Sequence, residues 1–259
     1  MSRFIAAATA VLTVHAAIAT RAAAQQENTK DAYQWSGRVA PGRWIRVVNL
    51  NGSITFGTAP GADVEVVATE HWRRGDPSAV RFDLQKSGAD GGDVTVCALW
   101  GTRARCDSRS ADEHDDNPER NNDLSVEFRV LVPRGVKVAA STVNGAVVVT
   151  GVTEEISAST VNGQVDVTGG GAPISASTVN GEVKAHVTKV NAANRMKFSA
   201  VNGNVVVDLP TDLAADVDLS TVTGSLRSDY PMTVSGRIGG QRMNAHIGSP
   251  GGPTISIST

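Results

Sequence analysis

The chain has 259 residues, enough for one large domain or two small ones. Its 24 basic and 26 acidic residues give a net charge of −2. This balance lacks the basic surplus that binds nucleic acid or an anionic membrane surface, so neither is expected as a partner.

Residues 1–24 have the features of a secretory signal peptide. Arg3 supplies a basic start, Phe4 to Ala19 form an apolar stretch, and Ala22-Ala23-Ala24 fit the small-residue cleavage rule. The stretch is short for a membrane span, although a retained N-terminal anchor helix is the alternative. The sequence therefore predicts an exported protein without membrane insertion, located in the periplasm, at the cell surface or outside the cell.

Residues 44–135 predict an irregular N-terminal β region that caps the rest of the chain. Residues 25–43 before it are polar and unpatterned, and we expect a flexible leader there. The strand candidates alternate β-branched or aromatic residues with polar ones. They lie at residues 44–48, 64–67, 80–84, 94–96 and 124–132.

Cys97 and Cys106 are the two cysteines of the chain. In an exported protein such a pair predicts a structural disulfide. A metal site would need more ligands at a characteristic spacing, and a redox pair would need Cys-x-x-Cys, so both are weaker interpretations.

The segment 107–123 is rich in acidic residues and predicts an exposed loop. Calcium binding stays open as an alternative, because hard cations take carboxylate oxygens. The spacing of the acids matches neither the EF-hand loop nor the glycine-rich nonapeptide of calcium-binding β-rolls. No metal or cofactor is therefore predicted.

An internal repeat dominates residues 136–259. Ser-Thr-Val-Asn-Gly occurs at 141–145, 159–163 and 177–181, so that successive copies are 18 residues apart. Apolar or small residues alternate before and after each copy, as in half-buried strands. Looser copies occupy 199–203 and 220–224, and a degenerate early copy ends at Asn51-Gly52.

Each repeat predicts a strand, a tight turn and a second strand, and this unit allows two all-β folds. Asn-Gly between alternating strands is the usual hairpin signal, which would give an antiparallel β meander or sandwich. Near-identical turns at a fixed period instead favour a β-solenoid (β-helix-like) of about 18–22-residue two-strand repeats, with equivalent residues stacked at one corner. The predicted structural corner residues are Asn51, Gly52, Asn144, Gly145, Asn162, Gly163, Asn180, Gly181, Asn202, Gly203, Thr223 and Gly224.

The run from Val126 onward resembles the bacterial "putative adhesin" family of β-strand-repeat domains of unknown function. The resemblance rests on Val126-x-Phe128-x-Val130-x-Val132-Pro133-x-Gly135 and on the iterated Ser-Thr-Val-Asn-Gly-x-Val units. With the early Asn51-Gly52 copy, the family domain would cover about residues 44–259 as one continuous domain. The resemblance implies an exported, solenoid-like protein without assigned catalytic residues or a cofactor.

The residues show no nucleophile placed with a base and an orienting group, and we expect no enzyme activity. The predicted function is an adhesin-like surface or periplasmic interaction module that contacts cell-envelope or surface components through flat solenoid faces. A structural or assembly protein of the cell envelope is the alternative, with self-association through an unfinished final rung at 255–259. An enzyme on a β-helical scaffold is the third hypothesis.

Overall fold

The computed structural model describes residues 27–88, 90–101, 104–106, 122–191, 194–222, 225, 227–234, 242–248 and 252–259. The predicted signal peptide, most of the acidic loop and the predicted corner residues Thr223 and Gly224 lie outside these ranges. The described residues form β-strands and one 3₁₀ turn at Pro77–Ala79, with no α-helix among them.

The strands are numbered in chain order. They are β1 Asn28–Gly37, β2 Trp44–Val48, β3 Ile54–Thr58, β4 Val64–Trp72, β5 Val80–Ser87, β6 Asp93–Trp100, β7 Ser125–Val132, β8 Lys137–Asn144, β9 Val147–Val152, β10 Ile156–Asn162, β11 Val165–Gly169, β12 Ile174–Asn180, β13 Val183–Val187, β14 Arg195–Asn202, β15 Val205–Asp208, β16 Ala215–Ser220, β17 Met232–Val234, β18 Arg242–Ile247 and β19 Thr254–Ser258.

These strands form two sheets, and neither sheet closes on itself. The eight-stranded sheet has the order β1-β4-β7-β3-β9-β11-β13-β15. The eleven-stranded sheet has the order β17-β18-β16-β19-β14-β12-β10-β8-β2-β6-β5. Each repeat gives one strand to each sheet, with its Asn-Gly corner between the two strands.

Successive repeats stack in parallel and in register. In the eleven-stranded sheet, β8, β10, β12 and β14 align the asparagines of four corners side by side. In the eight-stranded sheet, β9, β11, β13 and β15 stack in the same way. Parallel pairing between repeats confirms the β-solenoid and excludes an antiparallel meander for this part of the chain. Antiparallel pairs flank the stack, at β1–β4–β7, β5–β6 and β16–β18–β17.

The core lies between the two sheets because alternate residues of every repeat strand point inward. Ile156, Ile174 and Met196 occupy one register position on neighbouring strands, and all three are fully buried. Burial of such a side chain contributes about 1.5–3 kcal/mol. Most buried apolar residues form one continuous cluster that extends from Val39 to Ile255.

The order of rungs in the stack differs from the order of strands in the chain. β2 pairs in parallel with β6 on one side and β8 on the other, and β3 lies likewise between β7 and β9. The early copy at Asn51-Gly52 is therefore a full member of the stack, and Asn51 forms a bridge to Asn144.

The prediction of a flexible leader at residues 25–43 is corrected by the structure. Asn28–Gly37 form β1, which runs antiparallel to β4 at the edge of the eight-stranded sheet. The ring of Tyr33 stacks on Phe82 with centroids 5.3 Å apart, and Trp35 packs against the core. Two aromatic side chains thus anchor a segment that is otherwise mostly polar.

The prediction of an unfinished final rung at 255–259 is also wrong. β19 lies inside the eleven-stranded sheet and pairs in parallel with both β14 and β16. Ile255 on this strand is fully buried. Because both edges of β19 are hydrogen-bonded within the chain, it offers no free edge for self-association.

Candidate binding face

The repeat corners are held by side-chain hydrogen bonds between neighbouring rungs. The threonine of each complete copy is buried and donates to the corner glycine carbonyl of the preceding rung: Thr142 Oγ1 to Gly52 O (3.1 Å), Thr160 Oγ1 to Gly145 O (2.9 Å) and Thr178 Oγ1 to Gly163 O (2.9 Å). These hydroxyls satisfy buried carbonyl groups, so their role is structural.

The asparagines form an amide ladder along the same corner. Asn162, Asn180 and Asn202 each donate from Nδ2 to the Oδ1 of the asparagine one rung earlier, over 2.8 to 2.9 Å. Asn51 at the start of the stack differs, because its Nδ2 donates to the Leu124 carbonyl at 2.7 Å. The ladder uses one donor and one acceptor of each internal amide, which leaves the other lone pairs and protons to solvent.

The corner glycines allow this close stacking. A Cβ atom on Gly163 would overlap the carbonyl of Gly145, and one on Gly181 would overlap the carbonyl of Gly163. Gly145 and Gly181 also have a positive φ of 155°. The corner is therefore built from residues chosen for packing, with the amide ladder on its outside.

The outer face of the eleven-stranded sheet carries a regular row of serines, which we name the hydroxyl row. These residues occupy the same register position on adjacent strands. They are Ser141, Ser159, Ser177, Ser199, Ser258 and Ser220, on β8, β10, β12, β14, β19 and β16. Neighbouring hydroxyls on such a row are separated by about 4.8 Å, the spacing of paired strands.

A second row beside the hydroxyl row has a mixed composition. It runs through Ala139, Ser157, Ser175, Lys197, Ser256 and Asp218 on the same strands. Because most side chains of both rows are small, they leave depressions on the outer face between the longer side chains.

Two adjoining clefts result. The first has a volume of about 600 Å³ and includes Trp44, Ser157, Ser175, Arg195 and Lys197 in its lining. The second, of about 300 Å³, is lined in part by Lys197, Asp218, Ser220, Arg242 and Ser256. Lys197 and Ser256 line both clefts, so the two form one continuous trough across the face, which we name the polar trough after its hydroxyl-bearing and charged side chains.

The wall of the trough at Trp44 is rigidly supported. Arg46 and Lys137 lie over the indole ring, with 5.0 and 5.4 Å to the ring centroid. Lys137 also pairs with Glu155 at 3.0 Å, and Arg46 pairs with Asp93 at 3.3 Å. Most charges at this end are therefore engaged with one another.

The opposite wall of the trough carries two cationic side chains that differ from those near Trp44 in their pairing. Arg195 and Lys197 are exposed on β14, and among the described residues neither has an ion-pair partner. Further along the face, Asp216 hydrogen-bonds to Nδ1 of His246 across β16 and β18. The unpaired cations Arg195 and Lys197 therefore lie near the boundary between the two clefts.

Cys97 and Cys106 are joined by a disulfide at the other end of this sheet. The bond lies with Leu99 in a small buried cluster, against which Val48 and Ala104 pack. The segment 104–106 therefore covers part of the outer face near β6, and the open part of the face begins at β2.

Away from the trough, His186 and Asp123 take part in local polar contacts. His186 lies 3.8 Å from Asp208 on the exposed side of the eight-stranded sheet. Three backbone amides, of Arg73, Arg74 and Gly75, donate to Asp123 Oδ1 and hold the pKa of that carboxyl below its usual range. Within the described part of the chain, no group of three or more His, Cys, Asp or Glu residues could hold a metal ion.

Sequence reasoning missed Trp44 as a site residue. It lies far from the repeats in sequence, but β2 pairs with β8, and this places Trp44 beside Lys137. Parallel pairing between strands so far apart in the chain leaves no local pattern in the sequence. A strand pattern at 44–48 combined with the early Asn-Gly copy could have indicated the neighbourhood, since both belong to one rung.

Comparison with known proteins gives one family and several similar folds. The model of the family described as Toastrack DUF4097 matches residues 86–247. A solved structure of a "putative cell adhesion protein" from Clostridium sporogenes is 8% identical, with a TM-score of 0.46, and the match covers 90% of this chain and 93% of that chain. A "putative adhesin" from Bacteroides fragilis is also 8% identical, with a TM-score of 0.25, over 71% of this chain and 98% of that chain. The search of curated proteins finds no match.

Proposed function

Because the chain belongs to the Toastrack DUF4097 family, we propose that it is an exported, non-enzymatic interaction module of the cell envelope. The module binds envelope or surface components through the outer face of its eleven-stranded sheet. The observation that carries this proposal is the polar trough, a continuous surface built from equivalent positions on adjacent rungs.

The architecture supports binding through a face. Stacked rungs create an extended surface whose side chains repeat at the strand spacing, and solenoids commonly use such surfaces for recognition. Serine hydroxyls donate and accept hydrogen bonds with little loss of side-chain entropy on binding. A rigid hydroxyl array therefore suits a ligand that presents many polar groups in an extended form.

The pairing of charges supports a binding role over catalysis. Asp93 is paired with Arg46, Glu155 with Lys137, and Asp216 with His246. Each of these acids already serves a partner on the same face. General acid–base work instead needs a group directed at the reacting atoms.

Export is supported by the signal-like residues 1–24 and by the Cys97–Cys106 disulfide, since such bonds persist in oxidising compartments. No helix within the described ranges is long and apolar enough to span a bilayer.

The test is co-sedimentation of the purified protein with cell-envelope fragments. Substituting Ser157→Tyr and Ser175→Tyr together would fill the floor of the first cleft, and we expect this variant to lose most of the bound fraction. The matched control is Thr150→Tyr with Thr168→Tyr, which adds the same bulk to the outer side of the eight-stranded sheet. Equal binding by both variants, or no binding by the parent protein, would contradict the proposal.

A further inference from the structure

We propose that the polar trough binds an extended acidic oligosaccharide, with its carboxylates at Arg195 and Lys197 and one sugar ring at Trp44. This inference rests on the proposed function and specifies its ligand class. It depends on three features of the trough: its charge, its floor and its length.

The charge of the trough is opposite to that of the chain as a whole. The chain carries a net charge of −2. In the first cleft, Glu155 is neutralised by Lys137 at 3.0 Å, whereas Arg195 and Lys197 have no ion-pair partner among the described residues. The second cleft adds Arg242 and one acid, Asp218. The unpaired charge along the trough is therefore positive, which attracts an anion.

The arrangement of the cations favours carboxylates on an extended chain. Arg195 and Lys197 lie two residues apart on β14, so both side chains leave the same side of the sheet. An arginine can hold a carboxylate through two parallel hydrogen bonds, and a neighbouring lysine adds a point charge.

The floor matches a polyhydroxyl ligand. Ser157 and Ser175 lie between the walls in one row, and Ser256 continues this row beyond Lys197, with the hydroxyl row beside it. The hydroxyls repeat at about 4.8 Å across the strands. This repeat is close to the length of one pyranose unit, so successive sugars of a glycan can meet equivalent hydroxyls on successive rungs.

The first cleft is long enough for several sugar units and has a different binding group at each end. Trp44 on β2 and Arg195 on β14 are separated by four strand steps, or roughly 19 Å. Arg46 and Lys137 cover part of the indole and fix its orientation, and the part of Trp44 that lines the first cleft offers an apolar surface for the C–H face of a sugar. An oligosaccharide of about four units can contact the indole and the cations together.

The experiment is isothermal titration of the full chain with tetragalacturonate at physiological ionic strength. We expect measurable binding of the acid form and at least tenfold weaker binding of its fully methyl-esterified form, which has the same skeleton without charge. Arg195→Ala, Lys197→Ala and Trp44→Ala should each weaken binding of the acid form tenfold or more. Lys184→Ala should leave it unchanged, because Lys184 is a mid-strand lysine on the opposite sheet. Circular dichroism verifies the fold of each variant.

Other outcomes would overturn the inference. Equal binding of acid and ester would remove the role of the cations, and equal binding of a tetraglutamate peptide would show that charge alone governs recognition. If the protein sedimented with envelope fragments yet bound no tetragalacturonate, the glycan assignment would fail and the proposed function would stand. If it bound neither, both would fail.

Discussion

At the scale of single residues, the corner glycines show how closely the rungs approach. Gly163 has no left-handed φ, so the constraint on it is purely steric. A methyl group there would meet the backbone carbonyl of Gly145 in the preceding rung. We expect Gly163→Ala to lower the free energy of unfolding by about 2 kcal/mol or more, within the range typical of overpacking. Urea denaturation measures the effect.

Gly61→Ala is the control for this prediction. Gly61 also lacks a positive φ, and a Cβ atom on it would have no neighbour within 4 Å. The substitution should be neutral or slightly stabilising, because alanine reduces the entropy of the unfolded chain. Similar losses at both positions would show that rung contact is not the cause.

Glu70 is a second informative residue, because it occupies an inward position of β4 and is only 3% exposed. Burial raises the pKa of this carboxyl, and the nearby Lys30 opposes the rise only in part. Because this pKa is raised in the folded state, the contribution of Glu70 to the free energy of unfolding is most favourable at acid pH. The contribution decreases as the pH rises through the folded-state pKa. The buried carboxyl of Glu70 is therefore less favourable to folding at neutral pH than at acid pH.

We predict that Glu70→Gln raises the melting temperature at pH 7 and leaves it almost unchanged near pH 4, where the carboxyl is protonated. Thermal unfolding across this pH range measures the difference. Glu65→Gln, on the exposed side of the same strand, should not change the pH dependence. A larger gain at pH 4 than at pH 7 would refute the assignment.

At the scale of elements, the position of β19 inside the sheet, between β14 and β16, is the feature that departs most from the sequence prediction. The strand fills the space between β14 and β16, and Ile255 projects from it into the core. Ile255→Ala should lower the unfolding free energy by about 2–5 kcal/mol, as for other buried aliphatic truncations. Val201→Ala is the control, because Val201 is 67% exposed on neighbouring β14. Equal effects would place β19 outside the packed core.

The repeat strands could be predicted from the sequence because their pairing is local. Copies 18 residues apart place Ile156 against Ile174, and the same spacing fixes every other position of the rung. The family resemblance and the solenoid class, both read from these copies, are confirmed. The neighbours of Trp44 and of β19 could not be placed from the 18-residue spacing, since each pairs with a strand that is distant in sequence.

At the scale of the whole molecule, the insertion of the β2–β3 rung joins the two halves of the chain. β2 and β3 lie between strands that come later in sequence, so the N-terminal region cannot detach without opening the edges of β6, β7, β8 and β9. The core is continuous across this rung. One continuous domain at 44–259 stays a prediction, and the strand order gives it a measurable consequence.

One cooperative transition is the expected consequence. All four tryptophans, at positions 35, 44, 72 and 100, lie before the repeats, so their fluorescence reports the N-terminal region, while far-UV circular dichroism reports the whole stack. The two signals should give the same denaturation midpoint, as two-state unfolding requires. Ile255→Ala at the far end should lower the fluorescence midpoint by the same amount as the dichroism midpoint. Stacked repeats can also unfold in sections when coupling between rungs is weak. A fluorescence midpoint that did not respond to Ile255→Ala would mean that the inserted rung fails to couple the two halves.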